Sequence, residues 1–298
     1  MSRVWVVGSV NEDTRLGLSE HVRPGETVTA ESLSRQLGGK GLNQAVAARR
    51  AGAATTMIAA VGADGAGEST RALLAAEGIA ARIFTAPGPT GTAVVAVDDA
   101  GENAIIVVPG ANALLPDAHV RAHLETIAAA DVLLLQLELP LATVRLAAAS
   151  ARRAGATVVL NAAPYRPDAA TLLADVDLLV VNAAEAGHLA PGHDDPADAA
   201  RELARRERLA VLVTLGARGS LLVRDGESVP VPSCVTEVVD TTGAGDVYIG
   251  FLAAALADGA DPRAAMELAS TAAATAVSRI GATAAIPTIA ELGVAATG

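Results

Sequence analysis

Short, nearly unbroken apolar runs alternate along the chain with stretches of helical spacing, and this alternation limits the fold more than any other feature. The first run, 4–10 (VWVVGSV), has the pattern of a strand buried on both faces of a parallel sheet. Further strands are expected at 55–60, 132–136, 157–160, 178–181 and 210–214, with helices at 68–77, 117–128, 141–154 and 196–207 between them. Strand and helix in turn imply a mostly parallel central sheet with helices on both sides, a three-layer α/β/α arrangement. Two regions break the pattern. Residues 14–36, with Thr27, Thr29 and Ser32 and no helical period, read as short half-exposed strands; 90–97 (TGTAVVAV) and 103–108 (NAIIVV) flank a turn-rich DDAGE and read as a hairpin. Together, about 12–36 and 90–109 predict a small β-sheet lid inserted into a single domain spanning 1–298. A lid excludes water and so strengthens the polar contacts beneath it.

Composition excludes several classes of function. With 51% hydrophobic and 18% charged residues over 298 positions, the chain has enough apolar material for a large core. A formal net charge of −11 argues against nucleic acid or an anionic membrane as partner, so a polyanionic ligand must meet backbone dipoles, a metal or a few placed cations. No apolar run approaches the roughly 18 residues of a transmembrane helix, and the opening MSRVWVVGSVNED lacks the features of a signal peptide. The single cysteine, Cys234, excludes an internal disulfide, has no histidine nearby in sequence and reads as a buried or incidental thiol; a cytoplasmic setting fits. Of 22 basic residues only Lys40 is a lysine.

The chemistry concentrates in 238–250, VVDTTGAGDVYIG, where an apolar pair leads through a small-residue turn into a helix start. Gly243 and Gly245 allow a sharp turn with amides facing outward, and the helix dipole adds partial positive charge, so the turn is a candidate anion hole. Asp246 at its mouth would repel a resting phosphate but suits a base that takes a proton from an attacking hydroxyl; a plain helix cap is the alternative. Glycine-rich LGGKGLN, 37–43, lacks phosphate-loop spacing, and Gly39, Lys40 and Asn43 read as contacts to a small polyol. Asn11 and Asp13, just past the first strand, suit neighbouring hydroxyls or a turn. Polar residues end most later strands: Gln136 and Glu138, Asn161, Asn182 with Glu185, and Thr214 with Gly216 and Gly219. Asn182 and Glu185, three apart, suit either a capping box or a hydrated Mg²⁺ with phosphate oxygens.

The order of these segments, GSVNED, GGKGLN, Glu138, NAAE, TLGARG and DTTGAGD, closely resembles the ribokinase (PfkB) family of sugar kinases along nearly the whole chain. DTTGAGD is common to that family, while the continuous run from Thr90 to Ala113 resembles its ribokinase branch. The resemblance implies ATP-dependent phosphorylation of the primary hydroxyl of a sugar, D-ribose first, with Asp246 as base and Gly243, Ala244 and Gly245 as the hole. It further implies Asn11, Asp13, Gly39, Lys40, Asn43 and Glu138 on the sugar hydroxyls, with Ala93 and Ile105 as apolar wall. Asn182 and Glu185 would serve Mg²⁺ and phosphate, with Glu185 acting through water, and Thr214, Gly216 and Gly219 the nucleotide. The family likeness also implies a homodimer joined through the lids and a monovalent cation, K⁺, held by Asp240 and the carbonyls of Thr242, Ala276 and Gly281. This chain has Ala285 where the ribokinase branch offers a serine, and DTTGAGD where that branch tends to have DTIAAGD. Kinases of the same fold acting on fructose, deoxyribose or ketodeoxygluconate, and a catalytically silent sensor, are the competing expectations. A dinucleotide-dependent dehydrogenase is disfavoured, since GSVNED stands where GxGxxG would follow the first strand.

Overall fold

The structure is a computed structural model that describes residues 3–100 and 102–293. In the first strand, β1 (Arg3–Val7), Val4 and Val6 face one way and Trp5 and Val7 the other, and all four are buried. Such a strand needs cover on both sides. β1 lies inside a nine-stranded sheet. On one side come β4 (Ala54–Val61) and β5 (Ala80–Thr85). On the other come β8 (Val132–Leu135), β9 (Thr157–Asn161), β10 (Leu178–Asn182), β11 (Ala210–Thr214), β12 (Ser220–Arg224) and β13 (Glu227–Val231). Pairing is parallel as far as β11, and β12 and β13 extend the sheet antiparallel.

Helices cover both faces. α1 (Lys40–Arg50), α2 (Gly65–Ala76), α7 (Ala244–Ala257) and α8 (Pro262–Val277) pack on the Val4 side through Leu42, Leu74, Phe251 and Met266. α3 (Asp117–Leu124), α4 (Leu141–Arg153), α5 (Ala183–Leu189) and α6 (Pro196–Glu207) pack on the Trp5 side through Val120, Val144, Ala186 and Leu203. Each fully buried large side chain, such as Phe251, stabilises the fold by about 1.5–3 kcal/mol relative to exposure. α1 and α7 touch closely: a Cβ on Gly250 would stand 2.4 Å from the Ala47 Cβ and 2.7 Å from the Gln44 carbonyl oxygen. That contact fixes the start of α7, with the 240–246 turn, against the start of α1.

The lid is a four-stranded sheet in the order β3 (Ser32–Gly38), β2 (Asn11–Gly17), β6 (Gly91–Val97), β7 (Asn103–Val108). The expected hairpin is present, but Thr27 and Thr29 lie in an irregular stretch rather than in a strand. Asn11 and Asp13 open β2 instead of shaping a turn, because Asn11 pairs with both Gly38 and Gly91. β5, β12 and β13 were not expected. β5 and β13 are largely exposed and so carry little of the apolar signal that marks a buried strand.

Candidate active site

Gly243 caps α7 with φ 74°, a left-handed conformation that disfavours any side chain. The cap has no side-chain hydrogen bond, so Asp246 is not a helix cap. Its carboxylate is buried and accepts from two amides of α1: Asn43 Nδ2 at 3.1 Å on Oδ2, and Gln44 Nε2 at 2.9 Å on Oδ1. Ala244, expected to be part of the hole, donates its N–H to the Thr241 carbonyl at 3.2 Å because the turn closes on itself. Gly243 and Gly245 remain the candidate donors, and Gly245 lines a cleft.

Gln44 was not singled out from sequence. Its Oε1 accepts from Gln136 Nε2 at 2.6 Å, and its Nε2 also reaches Asn161 Oδ1 at 3.3 Å. Gln136 and Asn161 stand at the carboxyl ends of β8 and β9, so a chain of buried amides aims the Gln44 donor at Asp246. A buried glutamine beside Val46, Ala47 and Ala48 was the available signal, since such a group needs partners.

Among the residues expected to hold a sugar, Asp13 lies over Gly38, where a Cβ would stand 2.0 Å from its Oδ2. Burial pushes its carboxyl up to about 7, the charges of Glu138 and Asp246 add to this, and Lys40 opposes it. Lys40 opens α1, where the helix dipole disfavours a cation. Asp246 above all holds its ammonium charged against burial, with help from Glu138, Glu185 and Asp13. Glu138 Oε2 accepts the Lys40 backbone N–H at 3.1 Å and the Ser9 hydroxyl, fixing the glycine turn. Gly39 there has φ 91°, and a Cβ would meet the Asn11 nitrogen at 2.8 Å. Asn112, also missed, positions Asn11: its Nδ2 donates to Asn11 Oδ1 at 2.9 Å, and its own Oδ1 takes the Val10 N–H. A cleft of about 320 Å³ opens between Asn11, Glu138 and Val107. Ala93 is buried in the small sheet and pairs across the strands with Val107, whereas Ile105 stands two pairs further out, opposite Val95, and is 57% exposed.

A second cleft, of about 480 Å³, joins Thr214, Gly216 and Gly219 to Thr241, Ala244 and Gly245, with Ala273 and Val277 of α8 as its wall. The residues expected to take the nucleotide therefore line the same cleft as two of the candidate anion-hole residues. Val235, absent from the sequence reading, and Val238, read there only as one of the apolar pair before the turn, also line this cleft and are exposed, and Cys234 beside Val235 is exposed rather than buried. Asn182 and Glu185 form a capping box: Asn182 Oδ1 accepts the Glu185 N–H, Glu185 Oε2 accepts the Asn182 N–H, and both are 2.8 Å. Burial raises the Glu185 carboxyl, opposed by the Asn182 N–H, then Lys40 and His188. Among the described residues no group of three or more acidic, histidine or cysteine side chains could hold a metal, and the Asn182 and Glu185 oxygens are the donors expected from sequence to face a hydrated Mg²⁺.

Asp240 turns inward beside the hole. Its Oδ1 accepts from the Thr242 N–H at 3.0 Å and hydroxyl at 2.6 Å, and its Oδ2 from the Gly281 N–H at 3.1 Å and Arg15 NH1 at 3.2 Å. The Ala276 carbonyl accepts the Arg279 N–H at 3.0 Å, and Ala285 is buried.

Among the described residues no helix is long and apolar enough to cross a membrane. Residues 1–289 match the family described as pfkB family carbohydrate kinase. The ribokinase of Haemophilus influenzae is 36% identical over 279 residues, covering 92% of this chain and 91% of that protein. The crystal structure of ribokinase from Thermotoga maritima aligns with TM-score 0.89 at 32% identity, covering 98% of each chain. A structure of Arabidopsis thaliana ribokinase complexed with ribose and ATP aligns with TM-score 0.80 at 28% identity, covering 98% of this chain and 97% of that one. A nine-stranded mixed sheet, a lid, and an aspartate held at an amide-lined turn thus accompany likeness along almost the full length, and the chain belongs to the PfkB family of carbohydrate kinases, phosphotransferases that act on a sugar hydroxyl.

Proposed function

We propose that this chain is an ATP-dependent kinase of D-ribose, forming ribose 5-phosphate. The observation that carries the reading is Asp246, whose two carboxylate oxygens are pinned by Asn43 and Gln44 one residue past Gly245, which lines the larger of the two clefts described above. Asp246 accepts the proton of the primary hydroxyl. That oxygen then bonds to the γ-phosphorus as the bond to the β–γ bridging oxygen breaks, and ADP leaves with the electron pair. Phosphoryl transfer is loose, so positioning and charge stabilisation supply most of the acceleration, and a carboxylate suffices as the late proton acceptor. Gly243 and Gly245 receive the charge on the moving phosphoryl oxygens.

Asn11, Asp13, Gly39, Lys40, Asn43 and Glu138 hold the sugar, with Ala93 and Val107, and Ile105 further out, as its apolar cover. Asn43 Oδ1 is buried with no partner, which supports a ligand hydroxyl as its missing donor. Thr214, Gly216 and Gly219 take the nucleotide phosphates, and Val235, Val238 and Val277 flank the base. Asn182 and Glu185 would hold a Mg²⁺ through water, and such an ion would neutralise charge on the phosphate oxygens. The lid, 12–36 with 90–109, closes one kinase domain. Its outer face exposes Leu33 at 60%, Ile106 at 66% and Val108 at 50%, a surface that suits a homodimer in the cytoplasm.

ADP release measured with ATP and Mg²⁺ over ribose, deoxyribose, fructose and ketodeoxygluconate tests the assignment. Ribose is expected to give the highest kcat/KM; a hexose turning over far faster, or no turnover with any sugar, would overturn it. Light scattering decides the dimer.

A further inference from the structure

Arg15, on the small sheet, reaches across to the 240–246 loop. It stands two residues beyond Asp13 on the same face of β2, and its guanidinium meets Asp240, 225 residues away in sequence. Asp240 is nearly enclosed, its side chain 9% exposed, and it already accepts four hydrogen bonds, two on each oxygen. The monovalent cation expected from family likeness does not fit this donor set. The carboxylate that should ligate it is saturated and neutralised by a guanidinium, the Ala276 carbonyl is engaged by Arg279, and position 285 contributes only a methyl group.

We infer that Arg15 takes the place of the monovalent cation: a positioning residue that holds the Asp240–Thr242 loop from the lid, so that turnover does not depend on K⁺. Arg15 supplies a permanent positive charge from the lid, as a cation would from solution. Asp240 in turn grips the Thr242 N–H and hydroxyl, and Thr242 leads directly into Gly243, so a charge on Asp240 steadies the amides of the anion hole. A half-exposed ion pair adds little to stability, so the role is one of placement. The kinetic part of this inference rests on the proposed sugar phosphorylation.

The test compares the natural protein, Arg15→Gln and Arg15→Lys with KCl replaced by tetramethylammonium chloride at constant ionic strength, reading kcat and, without substrates, the thermal midpoint. The natural protein is expected to be indifferent to K⁺ in both readouts. Arg15→Gln should lose about 10- to 100-fold in kcat without K⁺, the scale for removing a supporting residue behind a site, and recover with K⁺. Its midpoint should rise with K⁺, whereas Arg15→Lys should stay close to the natural protein in both. Several-fold activation of the natural protein by K⁺, an Arg15→Gln variant as active as the natural protein, or a loss that K⁺ does not restore would each overturn the substitution. Failure of the kinase reading, with no turnover on any sugar, would still leave the midpoint comparison to decide whether K⁺ binds in place of Arg15.

Discussion

Replacing Asp246 by Asn removes the proposed base while changing the structure very little, which makes the chemical and structural roles separable. Asp246 accepts one hydrogen bond on each oxygen, from Asn43 Nδ2 and Gln44 Nε2. An asparagine keeps one acceptor for Gln44, and its new NH₂ would face the Asn43 donor. Asn43 Oδ1 has no partner, so turning the Asn43 amide over brings that oxygen to the new donor and restores the count of two. Stability should therefore change by less than about 1 kcal/mol, within the net worth of one hydrogen bond. Loss of a general base is worth about 10²–10⁴ in rate. At roughly 1.4 kcal/mol per factor of ten, that is about 3–5 kcal/mol of activation free energy, well above any structural term. The assay is ADP release at saturating sugar and ATP, with calorimetric titration of each ligand alone and a thermal melt. Expected are a kcat lower by about 10²–10⁴, nearly unchanged sugar affinity, and ATP affinity unchanged or tighter, since a negative charge beside the phosphates has gone. A loss under tenfold, or equal losses in binding and turnover, would refute the base assignment.

Gln44→Met keeps the side-chain length but removes the donor to Asp246 Oδ1 and strands the Gln136 amide; kcat should fall by about tenfold with little change in KM, and stability by about 1–3 kcal/mol in denaturant melts. Asp13, with its carboxyl raised from 3.8 to about 7 by burial first and then by Glu138 and Asp246, predicts sugar affinity that weakens as pH falls through about 7, because only the carboxylate accepts from two hydroxyls. The sign for stability is opposite: the folded chain keeps a proton there that the unfolded chain sheds above 3.8, a contribution fully present below 3.8 and lost as pH rises through about 7. Asp13→Asn should flatten both profiles, measured by calorimetry and by thermal melts across pH. Gly250→Ala forces a methyl to within 2.4 Å of the Ala47 Cβ and should cost about 1–3 kcal/mol by urea titration, with a fall in kcat as α1 shifts away from α7.

Some of this was legible in the string. The helix expected at 196–207 is α6 to the residue, and the strand at 210–214 is β11, because in both the apolar period and the flanking turn residues agree. The lid hairpin was equally plain, since strong β-formers flank a turn. The partners of the catalytic residues were not. Gln44 lies 202 residues from Asp246, Asn112 lies 101 from Asn11, and Arg15 lies 225 from Asp240; no local pattern reports contacts of that separation. Ala244 shows the converse error, where a turn motif suggested a free amide that the folded turn uses internally.

By itself the sequence determined the layered α/β class, the hairpin of the small sheet and the acidic turn at 240–246, since these follow from side-chain period, glycine placement and residue type within a dozen positions. Only the tertiary structure decided which amides pin Asp246, which asparagine orients Asn11, and that a lid arginine neutralises Asp240. Those depend on the sheet order and on the close contact of α1 with α7, which long-range packing sets.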